Sequence, residues 1–401
     1  IMASVKAKFR LLSASGHEGA VYYQIIHERK IRHVSTPYRL SHEEWRACLS
    51  MVSRWQGEVV SVRIVSISHL ISTDVERIKR IAAEMNRRGV HFTVDEMVEE
   101  YHQYVRRYSL FNFMQSIIVL LRVRERLRTA ETYAAALASF RRFRQGEDIV
   151  IDAINADIIE DYEAYLKVRG VTPNTTSFYM RILRAVYNRA VESGAVEQCH
   201  PFRHVYTGVG KTAKRALSLS VIRKIKLLDL SALPQADYAR DMFMMSFYFR
   251  GMSFIDMAFL RKTDLRCGYI TYRRRKTGQT LVIKWTADMQ EILDKYAMNP
   301  TEYLLPIIIS NGVADRVAYL RAGNHINYQL KKIAVMVGVT VPLTMYCARH
   351  SWASAARAKG VPVSIISEGM GHDSEATTRI YLEALDTSSV DKANDKILRS
   401  L

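Results

Sequence analysis

The chain has 401 residues, enough for two or three domains with real cores, and its 58 Lys and Arg outnumber 40 Asp and Glu to leave a formal charge of +18. On a composition that is 48% hydrophobic, such an excess of cations points to a polyanionic partner, nucleic acid before membrane. A membrane span is not expected, because Arg250 and Asp256 interrupt the most apolar run, Met242 to Leu260; the start lacks an apolar stretch with a small-residue cleavage site, so no secretory leader is expected; and the scattered Cys48, Cys199, Cys267 and Cys347 suit reduced thiols and give no zinc site.

In chain order, Val5–Leu12, Ala20–His27 and Lys30–Val34 are rich in Val, Ile, Tyr and Phe and read as three strands, with turns at Ser15–Gly19 and near Glu28 and Arg29. Alternation puts Lys6, Lys8 and Arg10 on one face of the first strand. Such a face either enters a DNA groove or is simply solvated. Residues 1–65 are thus a small basic sheet domain, and 66–109 a charged helical connector without Pro. From 110 to 205 the pattern is helical throughout. Tyr133, Leu137 and Phe140 recur at helical spacing, as do Ile159, Tyr162 and Leu166. Thr172-Pro-Asn-Thr opens a helix whose stripe of Phe178, Ile182, Leu183, Val186 and Ala190 is buried, with Arg181, Arg184 and Asn188 on another face. Residues 206–216, with Gly208, Gly210, Lys211, Lys214 and Arg215, read as a basic linker; 217–386 form the next domain and 387–401 a tail helix. The fold class is mainly α with small β-sheets, α+β.

The chemistry concentrates between Thr344 and Leu385: Arg349 followed by His350, Gly371 followed by His372, and Tyr381 nine residues on. Singly, these fit a surface arginine, a helix cap and a core aromatic. In this order, with Gly360 between the boxes and Thr378 to Tyr381 at the end, they resemble the signature of the tyrosine recombinases, or phage integrase family. The resemblance extends over about residues 110–390, and the departures described below are similar to integrases of bacterial conjugative and transposable elements.

The resemblance implies a SAM-like core-binding domain over 110–205, a catalytic domain over 217–386 and, for the N-terminal sheet, a grip on accessory arm DNA through Lys6, Lys8 and Arg10. Arg181 and Arg184 would touch the crossover site and Lys211 the duplex passing through a clamp. It further implies a bacterial, nucleoid-associated cytoplasmic enzyme acting on double-stranded DNA as a homotetramer that exchanges its tails, where Val390, Ala393, Ile397 and Leu401 make an apolar face. A host DNA-bending protein is a further candidate partner.

Cleavage without water needs a nucleophile that stays attached, and a tyrosine hydroxyl qualifies. Tyr381 would form a 3′-phosphotyrosine that conserves the bond energy, so neither metal nor other cofactor is expected. Arg349 and His372 would donate to the non-bridging oxygens. Lys276, in an Arg-Lys-Thr-Gly turn between strands Tyr269–Arg275 and Thr280–Trp285, would protonate the leaving 5′ oxygen.

Two departures stand out. The family's first arginine falls on Ser253 in Gly251-Met-Ser-Phe-Ile-Asp256. Arg250, about 60° away if both sit on one helix, is the preferred stand-in, and Arg274, on the strand face of Tyr272 and Lys276, the second. Tyr346 replaces the family's frequent histidine; it can donate a hydrogen bond but is no base near neutral pH, and His350 is a structural neighbour. The competing reading is a DNA-binding regulator that kept the fold and lost cleavage, and Ser253 is the feature in its favour.

Overall fold

A computed structural model describes residues 3–11, 18–51, 62–89, 91–210, 216–309, 312–382 and 398. The chain falls into two units, Ile1–Lys211 and Thr212–Leu401. The fold is mainly helical, with one small antiparallel three-stranded sheet in each unit. Among the described residues no helix is long and apolar enough to cross a membrane.

The first unit opens with strands β1 (Ser4–Leu11), β2 (Glu18–His27) and β3 (Lys30–Ser41), ordered β1-β2-β3. Glu28 and Arg29 both take positive φ, 49° and 66°, as a two-residue turn matched to strand twist requires. The expected turn at Ser15 lies outside the described residues. β3 runs past the expected end at Val34, through Pro37; an edge strand tolerates the missing donor. Val21, Tyr23 and Ile25 pack beneath α2 (Val62–Arg87) and α3 (Val94–Tyr108), while Lys6, Lys8 and Arg10 project from the other face and are exposed. A short α1 (His42–Met51), not expected from the pattern, follows β3.

Four helices follow: α4 (Leu110–Val123), α5 (Leu127–Phe143), α6 (Ala156–Val168) and α7 (Pro173–Glu192). Their shared core includes Met114, Phe140, Tyr162, Met180 and Val186. Thr172 stands at the N-cap position of α7, its hydroxyl paired with Thr175 Oγ1 at 3.0 Å rather than with a backbone N–H, and Pro173 occupies the first turn, where a missing N–H is harmless. Arg181 and Arg184 are exposed, and Arg184 Nη1 donates to Thr207 Oγ1 at 3.1 Å. A buried ionic node ties this bundle to the sheet. Arg77 of α2, 1% exposed, donates through Nε and Nη2 to Asp152 at 3.1 and 2.5 Å and through Nη1 to Asp74. Tyr23 and Tyr38 donate to Asp74, and Tyr104 to Asp152. A fully buried charge survives only with such partners. Lys211, Lys214 and Arg215 of the expected linker lie outside the described residues.

The second unit holds α8 (Leu219–Leu227), α9 (Pro234–Tyr248), α10 (Phe254–Ala258), the sheet β4 (Leu265–Arg266), β5 (Tyr269–Arg273) and β6 (Thr280–Lys284), and α11 (Ala287–Asp294). α12 (Asp315–Met336), α13 (Met345–Ala358), α14 (Val363–Met370) and α15 (Glu375–Leu382) complete it. Buried Met242, Phe243, Met245, Ile270, Ile326 and Leu330 belong to one core centred on α9. A satellite cluster of Ala353, Ile366, Met370 and Leu382 clasps α13, α14 and α15. The expected tail helix, residues 387–401 with Val390, Ala393, Ile397 and Leu401, lies outside the described residues.

Candidate active site

Arg349 is the fifth residue of α13 and is 6% exposed. Its Nη1 donates to the Gly251 carbonyl at 2.6 Å, and its Nη2 to the Met370 carbonyl at 2.8 Å and to His372 Nε2 at 2.9 Å. Two glycines make room for this packing. A Cβ on Gly251 would stand 2.7 Å from the Arg349 Cα; one on Gly371, at φ 66°, would stand 2.8 Å from Leu281 and 3.0 Å from the Arg274 side chain. Gly371 ends α14 in the left-handed conformation that favours glycine.

His372 therefore accepts at Nε2, because a guanidinium can only donate. Its Nδ1 carries the proton and donates to Thr378 Oγ1 at 2.7 Å. Burial, then the charges of Arg349, Arg274 and Lys276, pull its pKa down to about 4, so the ring is neutral at pH 7. Thr378, fully buried, belongs to α15, and Tyr381 follows it by one turn. The backbone of Tyr381 lies in α15; its side chain lies outside the described residues.

The β5–β6 turn supplies the remaining cations. Arg274 is 6% exposed; its backbone N–H donates to the Gln279 carbonyl at 2.8 Å and its Nη1 to the Gly371 carbonyl. Lys276 lies in the turn, as expected, and Arg274 lies just beyond the end of β5 rather than on the expected strand. Lys276 is exposed. Asp256, 4% exposed, buttresses this turn: Oδ1 accepts from the Arg275 N–H at 2.9 Å and Oδ2 from the Ser253 hydroxyl at 2.6 Å.

Arg349, Arg274, Lys276, Thr277 and His372 all line one cavity of about 690 Å³, together with Ser253, Tyr346, Asp373 and residues of α12. Arg250, the preferred stand-in, does not line it. The expected common helix is absent. α9 ends at Tyr248, Arg250 and Gly251 take φ of 57° and 72°, and Ser253 starts α10 as its N-cap. That reversal brings the Gly251 carbonyl to Arg349 and turns Arg250, half-buried, elsewhere. Of the two stand-ins weighed from sequence, the cavity holds Arg274. Tyr346 is 54% exposed at the cavity and meets the His350 ring edge-on at 4.5 Å. Its geometry gives His350 a packing role behind it.

The family model described as "Phage integrase SAM-like domain" matches residues 109–205. A tyrosine recombinase of Pseudothermotoga lettingae is 23% identical over 277 residues, covering 66% of this chain and 91% of the relative. Tyrosine recombinase XerA of Thermococcus onnurineus is 25% identical over 272 residues, 58% of this chain and 92% of the relative. The family model and these relatives together support a tyrosine recombinase. Among solved structures, a lambda integrase dimer bound to a COC′ core site superposes with a TM-score of 0.54 at 14% identity, covering 90% of this chain and 92% of that one. The Tn1549 transposon integrase in complex with a circular intermediate DNA gives 0.54 at 14% identity over 72% and 99%. These likenesses concern the fold.

Three supports of the site were not legible in the sequence. Asp256 was visible as a pattern position, but its bond to the Arg275 N–H comes from tertiary structure. Thr378 carries His372, and Asn327 of α12 holds the start of α13 by accepting the Met345 N–H at 2.9 Å. Neither residue type announces such a task in sequence.

Proposed function

We propose that this recombinase is the integrase, excisionase or invertase of a mobile element, and that Tyr381 cuts double-stranded DNA through a 3′-phosphotyrosine. The observation that carries the proposal is the convergence of Arg349, Arg274, Lys276 and His372 on one cavity beside the helix that bears Tyr381. The Tyr381 hydroxyl releases its proton to solvent as its oxygen attacks phosphorus, the P–O5′ bond breaks, and the Lys276 ammonium gives its proton to the departing 5′ oxygen. Arg349 and Arg274 hold the non-bridging oxygens, as preorganised donors do where charge develops. A phosphate that engages the Arg349 Nη2 brings negative charge to His372 and raises its pKa. The ring then takes a proton at Nε2 and becomes the second donor expected of it. Ligation is the same path in reverse, with a free 5′ hydroxyl displacing the tyrosine.

Lys6, Lys8 and Arg10 suit accessory arm DNA, Arg181 and Arg184 the core site, and Lys211 the backbone of the enclosed duplex. Assembly is a homotetramer on DNA, in the bacterial nucleoid, with tails 387–401 exchanged between subunits and a host DNA-bending protein as accessory. Support for assembly on DNA is by analogy with lambda integrase, captured as a dimer on its core site.

A nicked suicide substrate bearing the element's end tests the reaction. A covalent protein–DNA band from the wild type, lost in Tyr381→Phe, is the expected result. Tight binding without any band would make the chain a non-catalytic DNA-binding regulator that kept the fold.

A further inference from the structure

The proposed reaction leaves unused a cavity of about 360 Å³ in the first unit, on the seam between the sheet and the four-helix bundle. Tyr38 and Arg39 of β3, Ile67 and Leu70 of α2, and Phe143 and Arg144 at the end of α5 line it. Its aromatic walls are fixed. The Tyr38 hydroxyl donates to Asp74 at 3.2 Å, and the Phe143 ring packs on Phe140, Tyr162 and Tyr165 with centroids 5.5, 5.2 and 5.4 Å away. Arg144 is the anomaly. Its Nε is sealed from solvent with no hydrogen-bond partner, and among the described residues the guanidinium makes no hydrogen bond or ion pair. Burial pulls its pKa below the ordinary arginine value. The carboxylates of Glu147 and Asp148 act on it only through their field, and Asp148 is already engaged by the Ser109 hydroxyl and the N–H groups of Phe111 and Ile149. A cation taken out of water without partners is costly, which gives this site affinity for an acceptor. Arg39 brings a second guanidinium, its Nη1 donating to the Thr36 and Tyr38 carbonyls at 3.0 and 3.4 Å.

We propose that this seam binds a small phosphorylated ligand with a flat ring, a nucleoside monophosphate, whose phosphate engages Arg144. A guanidinium fork matches phosphate oxygens, and one phosphate has oxygens for both Arg144 and Arg39. Small-molecule sites span about 300–1,000 Å³, so the cavity accepts a mononucleotide where a duplex does not enter. A base presents a π-face to Tyr38 and Phe143. Glu147 and Asp161 also line the cavity and decide against a bare anion. Carboxylates repel free phosphate or a nucleic-acid backbone, but they accept hydrogen bonds from the amino and hydroxyl groups of a base or ribose. The ligand would touch β3, α2 and α5 at once, beside the Arg77 node that Tyr38 joins through Asp74. Its binding therefore tightens the joint between sheet and bundle.

Calorimetric titration of the full chain with AMP, GMP, adenosine and inorganic phosphate, for wild type and Arg144→Met, tests the site; methionine keeps an apolar stem and removes the charge. AMP or GMP should bind the wild type, with adenosine and inorganic phosphate each weaker by about tenfold or more, and Arg144→Met should weaken the nucleotide by about 10- to 150-fold. Without ligand, Arg144→Met should melt no lower than wild type, because the unpaired cation is gone. At a nucleotide concentration that just saturates wild type, the melting temperature of wild type should rise more than that of Arg144→Met. Failure of both nucleotides to bind wild type at millimolar concentration would overturn the inference, as would equal affinity for nucleotide and inorganic phosphate or an unchanged affinity in Arg144→Met. A lower melting temperature of ligand-free Arg144→Met would give the cation a structural partner and overturn it too. So would weaker duplex binding by Arg144→Met with both nucleotides inert, which would make Arg144 a contact to the DNA backbone.

Discussion

Two buried arginine nodes, one in each unit, show how the same side chain serves structure in one place and chemistry in another. Arg77 is enclosed by Asp74 and Asp152; Asp74 also accepts from the Tyr23 and Tyr38 hydroxyls, and Asp152 from the Tyr104 hydroxyl and Arg80. Its charge is cancelled within the fold. Arg274 is also buried, yet among the described residues no carboxylate lies within ion-pair reach of it, and its Nη1 ends on the Gly371 carbonyl. A carbonyl orients a guanidinium without neutralising it. The difference teaches that a closed ion pair marks a joint, whereas a buried cation oriented by neutral acceptors at a cavity marks an anion site.

The sharpest way to break this comparison is to open the closed node. Asp152→Ala leaves Arg77 buried with half its partners gone and should lower stability by about 3–5 kcal/mol, read from the denaturant midpoint. A shift below 1 kcal/mol would mean that the node is hydrated and that Arg77 is no joint. In the other node, Arg349→Ala should slow covalent adduct formation by about 10²–10³-fold in single turnover on a suicide substrate, the usual loss for a preorganised donor. A change confined to DNA affinity would assign Arg349 to binding alone.

A smaller effect sharpens the role of Ser253. Because its hydroxyl caps α10 and bonds Asp256, Ser253→Ala should cost about 0.5–2 kcal/mol of stability. A stability equal to wild type would show that the cap is dispensable. The smallest effect is a pH dependence. His372 has a folded pKa of about 4 against about 6.5 in the unfolded chain. Between these values the unfolded chain binds a proton that the folded one does not, so stability is lost as pH falls through that window. The denaturant midpoint of the wild type should drop more steeply from pH 7 to about pH 4 than that of His372→Gln. Parallel curves would contradict the neutral, buried ring.

Much of the fold was legible because it rests on local rules. Helical spacing in Tyr133, Leu137 and Phe140, the Thr172-Pro opening of α7 and the Lys276-Thr-Gly-Gln turn all depend on neighbours within a few residues. The run of β3 past Pro37 was not legible, because whether proline is tolerated depends on which strand lies at the sheet edge. Nor was the choice between Arg250 and Arg274. Helical continuity from Arg250 to Ser253 was the local expectation, and the reversal at Arg250 and Gly251 is dictated by the approach of Arg349, almost a hundred residues away. The orientation of His372 was hidden for the same reason, since it needs both Arg349 and Thr378.

In the proposed reaction one arginine takes the place left by Ser253. Single-turnover adduct formation on a nicked suicide substrate, measured for wild type, Arg274→Ala and Arg250→Ala at saturating DNA, tests it most directly. Arg274→Ala should fall by about 10²–10³-fold and Arg250→Ala should stay near wild type. Loss in Arg250→Ala with Arg274→Ala intact would contradict the account.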